Sequence, residues 1–160
     1  MSYKAKLEGR IDLGYMNNVM SKQQMILIGE AAAAIIQEET QQGHKDENGK
    51  RFKPYTKEYA KWRQSQPQKY GVQVDLTLTG NMLNSMQCLK EFTTNKRAVL
   101  GFINTQRGRD GLLPVQKMEY TNRKRPWFGF GRKNSKRRQR ILTRASEIFI
   151  EALTRLQGRM

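Results

Sequence analysis

The sequence predicts an α+β fold, a small antiparallel sheet packed against two long helices, with short helices and extended loops. Three observations carry this. The segment from Val19 to Gln41 repeats apolar and small residues at spacings of three and four, and so does the segment from Ile141 to Leu156. Between them, Gln87 to Phe92 and Ala98 to Ile103 read as strands joined by Thr93-Thr94-Asn95-Lys96-Arg97, a polar hairpin turn. Helices and an adjoining hairpin, with no alternation of single strands and helices, give the α+β class.

In chain order, residues 1–16 scatter Leu7, Ile11, Leu13 and Tyr15 without a period and include Gly9 and Gly14, so they are expected to form an arm ahead of one domain spanning 17–160. Asn17 or Asn18 suits the cap of the first helix. Its expected stripe is Met20, Gln24, Leu27, Ala31, Ala34, Ile35 and Glu38. The alanine run offsets the roughly 1 kcal/mol that Gly29 costs in a helix interior and leaves room for a close neighbour.

Residues 42–54 turn polar around Asp46-Glu47-Asn48-Gly49 and are expected to be a flexible loop pinned by Phe52 and Tyr55. Thr56 then caps a short helix in which Tyr55, Tyr59 and Trp62 recur at helical spacing. Leu76 to Met86 reads as a capped short helix with Leu83 and Met86 turned inward. After the hairpin, 104–124 is expected to be a second flexible loop, with strand character between Leu112 and Tyr120. Asn134 or Ser135 caps the last helix, whose stripe is Ile141, Ala145, Ile148, Ala152 and Leu156, widened by Leu142, Phe149 and Leu153; Gly158 ends it.

Composition narrows function. The 160 residues include 30 Lys and Arg against 14 Asp and Glu, a formal charge of +16. Nine of those cations, Arg123, Lys124, Arg125, Arg132, Lys133, Lys136, Arg137, Arg138 and Arg140, fall in one acid-free stretch. The other 21 basic residues and all 14 acids leave +7. No apolar run approaches the roughly 18 residues of a membrane span, and the first residues lack the apolar core of a signal peptide. One Cys and one His supply neither a disulfide framework nor a Cys/His zinc set. His44 reads as a solvated loop residue, Asp46 to Gly49 lacks the calcium-loop spacing, and Gly129-Phe130-Gly131 is too short for a nucleotide loop. The expectation is a protein without catalytic residues, metal or cofactor.

The basic stretch suits two kinds of partner. Clustered cations neutralise phosphates, and Trp127 and Phe128 have faces on which bases stack. Equally, Lys136, Arg137, Arg138 and Arg140 fit the wet face of a helix. Because cations are unfavourable at a helix N-terminus, they call for an anionic neighbour there, a phosphate backbone or an acidic protein surface. Composition favours Trp127 and Phe128 as an apolar plug over a stacking pair.

The order of motifs adds a resemblance. Arg51-Phe52-Lys53-Pro54-Tyr55-Thr56 precedes a lysine-rich short helix; Leu76-Thr77-Leu78-Thr79-Gly80-Asn81-Met82-Leu83-Asn84-Ser85-Met86 follows; then come the hairpin with Val99-Leu100-Gly101, Arg125-Pro126-Trp127-Phe128-Gly129 and an amphipathic terminal helix. Over about residues 27–156 this resembles the virion morphogenesis family of tailed bacteriophages, the tail-completion or neck proteins. The family often carries a Tyr-Ala and His-x-x-Gly stretch where this chain has only Met118-Glu119-Tyr120, and its pattern does not require so basic a 132–140 segment.

The resemblance implies a structural ring subunit, most often a hexamer, that joins head to tail in the virion. It implies neighbouring neck and tail proteins as partners, with packaged DNA as a possible contact, and no membrane. Pro54, Leu76, Thr79, Gly80, Leu83, Pro126, Trp127, Phe128 and Gly129 are its motif residues. Physically they are fold-specifying: Thr79 suits a helix cap, Leu76 and Leu83 a core clamp, and Pro126 to Gly129 a fixed turn that inserts aromatics under the last helix. The competing reading is a basic nucleic-acid-binding module of unrelated function.

Overall fold

The computed structural model describes residues 20–66, 73, 74, 76, 81–103, 107 and 111–157. The expected arm, both Asn caps, Thr79, Gly80 and Gly158 lie outside these residues.

Helix α1 (Lys22–Gln41) opens at Ser21, not at an asparagine. The Ser21 hydroxyl accepts from Gln24 N at 3.2 Å and Gln24 Oε1 accepts from Ser21 N at 2.7 Å, a reciprocal cap that satisfies two otherwise orphaned donors. The buried face also differs from the expected stripe. Met25, Ile26, Ile28, Gly29, Ala32, Ala33 and Ile36 turn inward, whereas Leu27 is 44% exposed and Ala34 faces solvent. The reason is tertiary. α1 is the central post of the fold, covered on two sides, so its buried arc is wider than one stripe.

On one side lies α5 (Lys136–Gln157), where Ala145, Ile148 and Phe149 pack with Met20, Met25 and Ile28. Its expected stripe is buried from Ile141 to Phe149, while Leu153 is exposed. Ser135 is the cap, its hydroxyl accepting from Arg138 N at 3.2 Å.

On the other side lies the sheet, β1 (Met86–Cys88) paired antiparallel with β2 (Leu100–Phe102), Gln87 opposite Gly101. The strands are shorter than expected, and a Thr94–Arg97 bridge closes the connection. Gln37 of α1 ties this layer down, its side-chain amide donating to the carbonyls of Leu83 (2.7 Å) and Met86 (3.0 Å). Gly29 is where helix and strand approach most closely. A Cβ there would lie 2.5 Å from Cys88 Sγ, and 3.1–3.2 Å from the Cβ atoms of Cys88 and Ala98.

Gly29→Ala gains helix propensity of about 1 kcal/mol, yet it is expected to lower the melting temperature, because a buried sulfur has no room to retreat. Thermal melts of Gly29→Ala, Cys88→Ala and the double variant check this. The double variant should be more stable than the two single losses predict, since removing the sulfur removes the clash.

Two short helices complete the second layer. α3 (Asn81–Asn84) buries Met82 and Leu83. Met86 is buried as expected, but on β1. α4 (Pro114–Lys124) replaces the loop and strand expected over 112–124. Pro114 stands in the first helical turn, where its missing N–H costs nothing, and Gln116 Oε1 accepts from Leu113 N at 2.9 Å. Val115 and Met118, three apart, form the buried face, and the exposed positions are charged except for Tyr120. One buried pair at helical spacing leaves a period too short to distinguish from strand alternation.

The remaining helix, α2 (Lys57–Ser65), begins as expected at Thr56, whose hydroxyl accepts from Tyr59 N at 3.3 Å.

Candidate interaction surface

The Pro126–Phe130 segment is a plug. Trp127 is wholly buried (0%) and Phe128 nearly so, in one core with Leu83, Leu100, Phe102 and Ile141. The Phe102 ring lies 6.4 Å from Trp127, near-perpendicular, and 5.2 Å from Phe128. The C-terminal end of α4 holds the entry: Asn122 Oδ1 accepts from both Trp127 N (2.8 Å) and Phe128 N (2.9 Å), and Trp127 Nε1 donates to Thr121 Oγ1 at 3.1 Å. Neither ring is available to a base.

Beneath the plug, Arg137 leaves the surface. It is 1% exposed; its Nε donates to Glu39 Oε2 at 2.8 Å, and its Nη1 to the carbonyls of Trp127 (2.5 Å) and Gly129 (3.1 Å). Nearby, Arg140 bonds Glu39 Oε1 at 3.0 Å and Glu38 Oε2 at 2.8 Å, and the Glu38 bond raises its pKa above the ordinary arginine value. The anionic neighbour that the basic start of α5 calls for thus lies within the chain. Glu38 and Glu39 sit in the last turns of α1, and the negative end of that helix dipole adds to their attraction. Arg137 is therefore corrected from a partner-facing residue to an internal clamp, and Arg140 is already engaged.

The expected flexible loop 42–54 is hydrogen-bonded onto this plug. A Lys45–Arg51 bridge and an Asp46 carboxylate accepting from Asn48 N and Lys50 N (both 2.9 Å) shape its tip. The tip docks through Glu47 N to Pro126 O (2.9 Å) and Arg132 N to Asn48 Oδ1 (3.0 Å). Gly131, at φ +73°, passes so close to the Glu47 carbonyl that any side chain would collide with it. His44, expected in solvent, is half-buried, with Nδ1 3.3 Å from the Val74 carbonyl. Phe52 packs on the core as expected, and half-buried Leu76 joins it at φ +56°.

Burial pushes the Glu47 carboxyl above its ordinary pKa; the Arg137 charge opposes this, and the Asp46 charge adds to it. The ionised form is therefore disfavoured in the folded chain. Stability falls as pH rises from the unfolded pKa through the folded one. Glu47→Gln removes that loss, so the urea midpoint should rise slightly at pH 7 and match wild type below about pH 4, where both side chains are neutral.

The other predicted cations divide. Arg123, Arg132, Lys133 and Lys136 are exposed, and Arg138 is half-buried. Lys124 donates to the Tyr120 hydroxyl at 2.7 Å, and that bond lowers the tyrosine's pKa. Arg125 crosses to α2's entrance, its Nε donating to the Lys53 carbonyl (3.3 Å) and its guanidinium 5.3 Å from the Tyr55 ring centroid. Exposed Pro54 and Pro126 contribute backbone carbonyls, Pro54 to Arg125 and Pro126 to Glu47.

Arg125 leads to a surface the sequence reading missed. Tyr55 has a second guanidinium 4.8 Å from its ring centroid, that of buried Arg63, whose Nη1 donates to the Tyr55 hydroxyl at 3.0 Å. Tyr59 meets the Tyr55 ring edge-on at 4.9 Å, and Trp62 stacks on Tyr59 at 5.4 Å and 22°. Both outer rings remain open, Tyr59 37% and Trp62 45% exposed. Lys50, Arg51, Lys53, Lys57, Lys61 and Arg63 share this stretch with one acid, Glu58, so most of the charge outside 123–140 is here. That local excess is visible in the sequence as five of the seven net charges outside 123–140.

Among the described residues, no three His, Cys, Asp or Glu side chains gather as a metal site and no helix is long and apolar enough to cross a membrane. Comparison with protein-family models, with characterised proteins and with solved structures finds no match to this chain.

Proposed function

We propose that this chain is a structural subunit of a phage neck, a tail-completion, terminator or head–tail connector ring protein that joins head and tail during virion assembly. The observation that carries the reading is the ordered motif series from Pro54 to Gly129, together with what its described members do. Leu83, Trp127 and Phe128 share one core, and Gly129 is buried beside them. The motif is spent on building a fold, as a structural subunit requires. In this role the chain has no catalytic residue and no cofactor. Its partners are copies of itself, most often six, and the neck and tail proteins above and below, within a virion assembled in the host cytoplasm. The exposed cations Arg123, Arg132, Lys133 and Lys136 then face acidic neighbours or packaged DNA.

The competing reading, a basic nucleic-acid module built on residues 123–140, is weakened by the internal pairing of Arg137 and Arg140 with Glu38 and Glu39. Electron microscopy and sedimentation of the purified protein, with mass spectrometry of purified virions, test the proposal. Rings several times the 18.7 kDa chain mass, and the chain's presence in virions, are expected. A monomer absent from virions rejects it.

A further inference from the structure

We propose that the last two turns of α5 seat the chain's own amino-terminal segment, with Ile150 and Leu153 covered by apolar residues between Ile11 and Val19. The inference goes beyond the neck reading and does not rest on it. α1 and α5 run antiparallel. Glu38 and Glu39 meet Arg137 and Arg140 at one end, and Met25 and Ile28 share a buried cluster with Ala145, Ile148 and Phe149 at the other. Met20 belongs to that second cluster, two residues before α1 begins. Eight residues of α5, 150–157, follow Phe149, about 12 Å of helix. Leu153 stands one turn beyond Phe149 in the same row, about 40° round the helix, with Ile150 beside it. Leu153 is 38% exposed and Ile150 60% exposed. The apolar row of the cluster thus continues into the open.

Where the chain enters selects the occupant. Residues 1–19 lie outside the described residues and lead into Met20, on the cluster that this row continues. From Ile11 to Val19 they hold five apolar side chains in nine, Ile11, Leu13, Tyr15, Met16 and Val19. Leu153 lies about 6 Å further along the axis than Phe149, and four extended residues cover about 13 Å, so Tyr15 and Met16 are within reach of it. A segment tethered this closely acts at an effective concentration of about millimolar, so few contacts are needed to hold it. A second copy has no such tether. A stable complex takes about 800 Å² and 20–30 residues from each partner. Two half-open side chains offer far less, on a helix whose other outward positions include Glu147, Glu151 and Thr154.

Hydrogen exchange of the full chain, read by mass spectrometry on peptides covering 11–19, tests the seat directly. Amides there are expected to exchange roughly tenfold or more slower than in a free peptide of the same sequence. The double variant Ile150→Ser, Leu153→Ser should remove most of that protection, since burying each such side chain favours the closed form by about tenfold or more. Leu153→Met should keep the protection, and Glu151→Gln should leave it unchanged. Peptides from α1 should keep wild-type exchange throughout, which separates loss of the seat from loss of the fold. A cross-link then identifies whose segment is seated. Tyr15→Cys and Leu153→Cys in one chain, joined by a bismaleimide, should give a product of single-chain mass; Cys88 is buried and does not compete.

The proposal is overturned by unprotected amides over 11–19, by protection that survives the double serine variant, or by the absence of the single-chain product. A cross-linked product of two chains alone would assign the seat to the segment of a second copy and overturn it as well. If the serine variant also loosens α1, the cross-link decides by itself. Neither readout depends on whether the chain forms rings, so this inference and the neck reading fail independently.

Discussion

Arg137→Ala is expected to cost about 3–5 kcal/mol of folding stability, a large share of the 5–15 kcal/mol typical of a domain. The salt bridge itself is not the main reason, because buried pairs often contribute little net stability against an apolar replacement. What matters is what the variant strands. Glu39 keeps Arg140, but the carbonyls of Trp127 and Gly129 lose their donor in a place water does not reach. Each unsatisfied buried acceptor costs about 1–3 kcal/mol.

Lysine should not rescue the site. Its ammonium is compact, whereas Arg137 reaches three acceptors from two nitrogens of one rigid plane. Arg140→Ala is the control: its side chain is half-exposed, bonded to the other carboxylate oxygen of Glu39 and to Glu38, and exposed pairs are worth about 0–1 kcal/mol. Urea titrations followed by tryptophan fluorescence separate the two. Equal midpoint shifts for Arg137→Ala and Arg140→Ala would refute the clamp.

Trp127→Ala is expected to be as damaging, about 3–5 kcal/mol. The ring fills the junction of α4, β2 and the start of α5, and the backbone around it is held by Asn122, Arg137 and Glu47. Such a frame collapses poorly into a void, which places the cost toward the upper end of the range. Trp62→Ala, on the exposed face of α2, should change stability by no more than about 0.5 kcal/mol. Guanidinium unfolding of the two variants side by side reads the difference directly.

Most of the elements were legible in the sequence because their signals are local. Thr56 and Ser135 cap the helices that follow them, since a hydroxyl reaches only the next turn. The hairpin shows as two apolar runs around a polar turn, and the plug as aromatics fixed between Pro126 and Gly129. Helix α4 was not legible, because Pro114 and Gln116 mark a helix start only once Leu113 is known to be buried and not part of a strand. The inward face of α1 was misjudged for a related reason. Its alanines and isoleucines run nearly all round, and only the positions of α5 and β1 select Met25 and Ile28 over Leu27.

The charge divides in the same way. Sequence alone determined that the chain is strongly basic, that the excess concentrates over 123–140, and that the cations at the start of the last helix need an anion. Only the tertiary structure decided that Glu38 and Glu39, about a hundred residues earlier in the chain, are that anion. It also placed the exposed aromatics on α2, away from the plug. Caps and periods are set by neighbours along the chain, whereas the partner of a charge is set by which distant segments the core brings together.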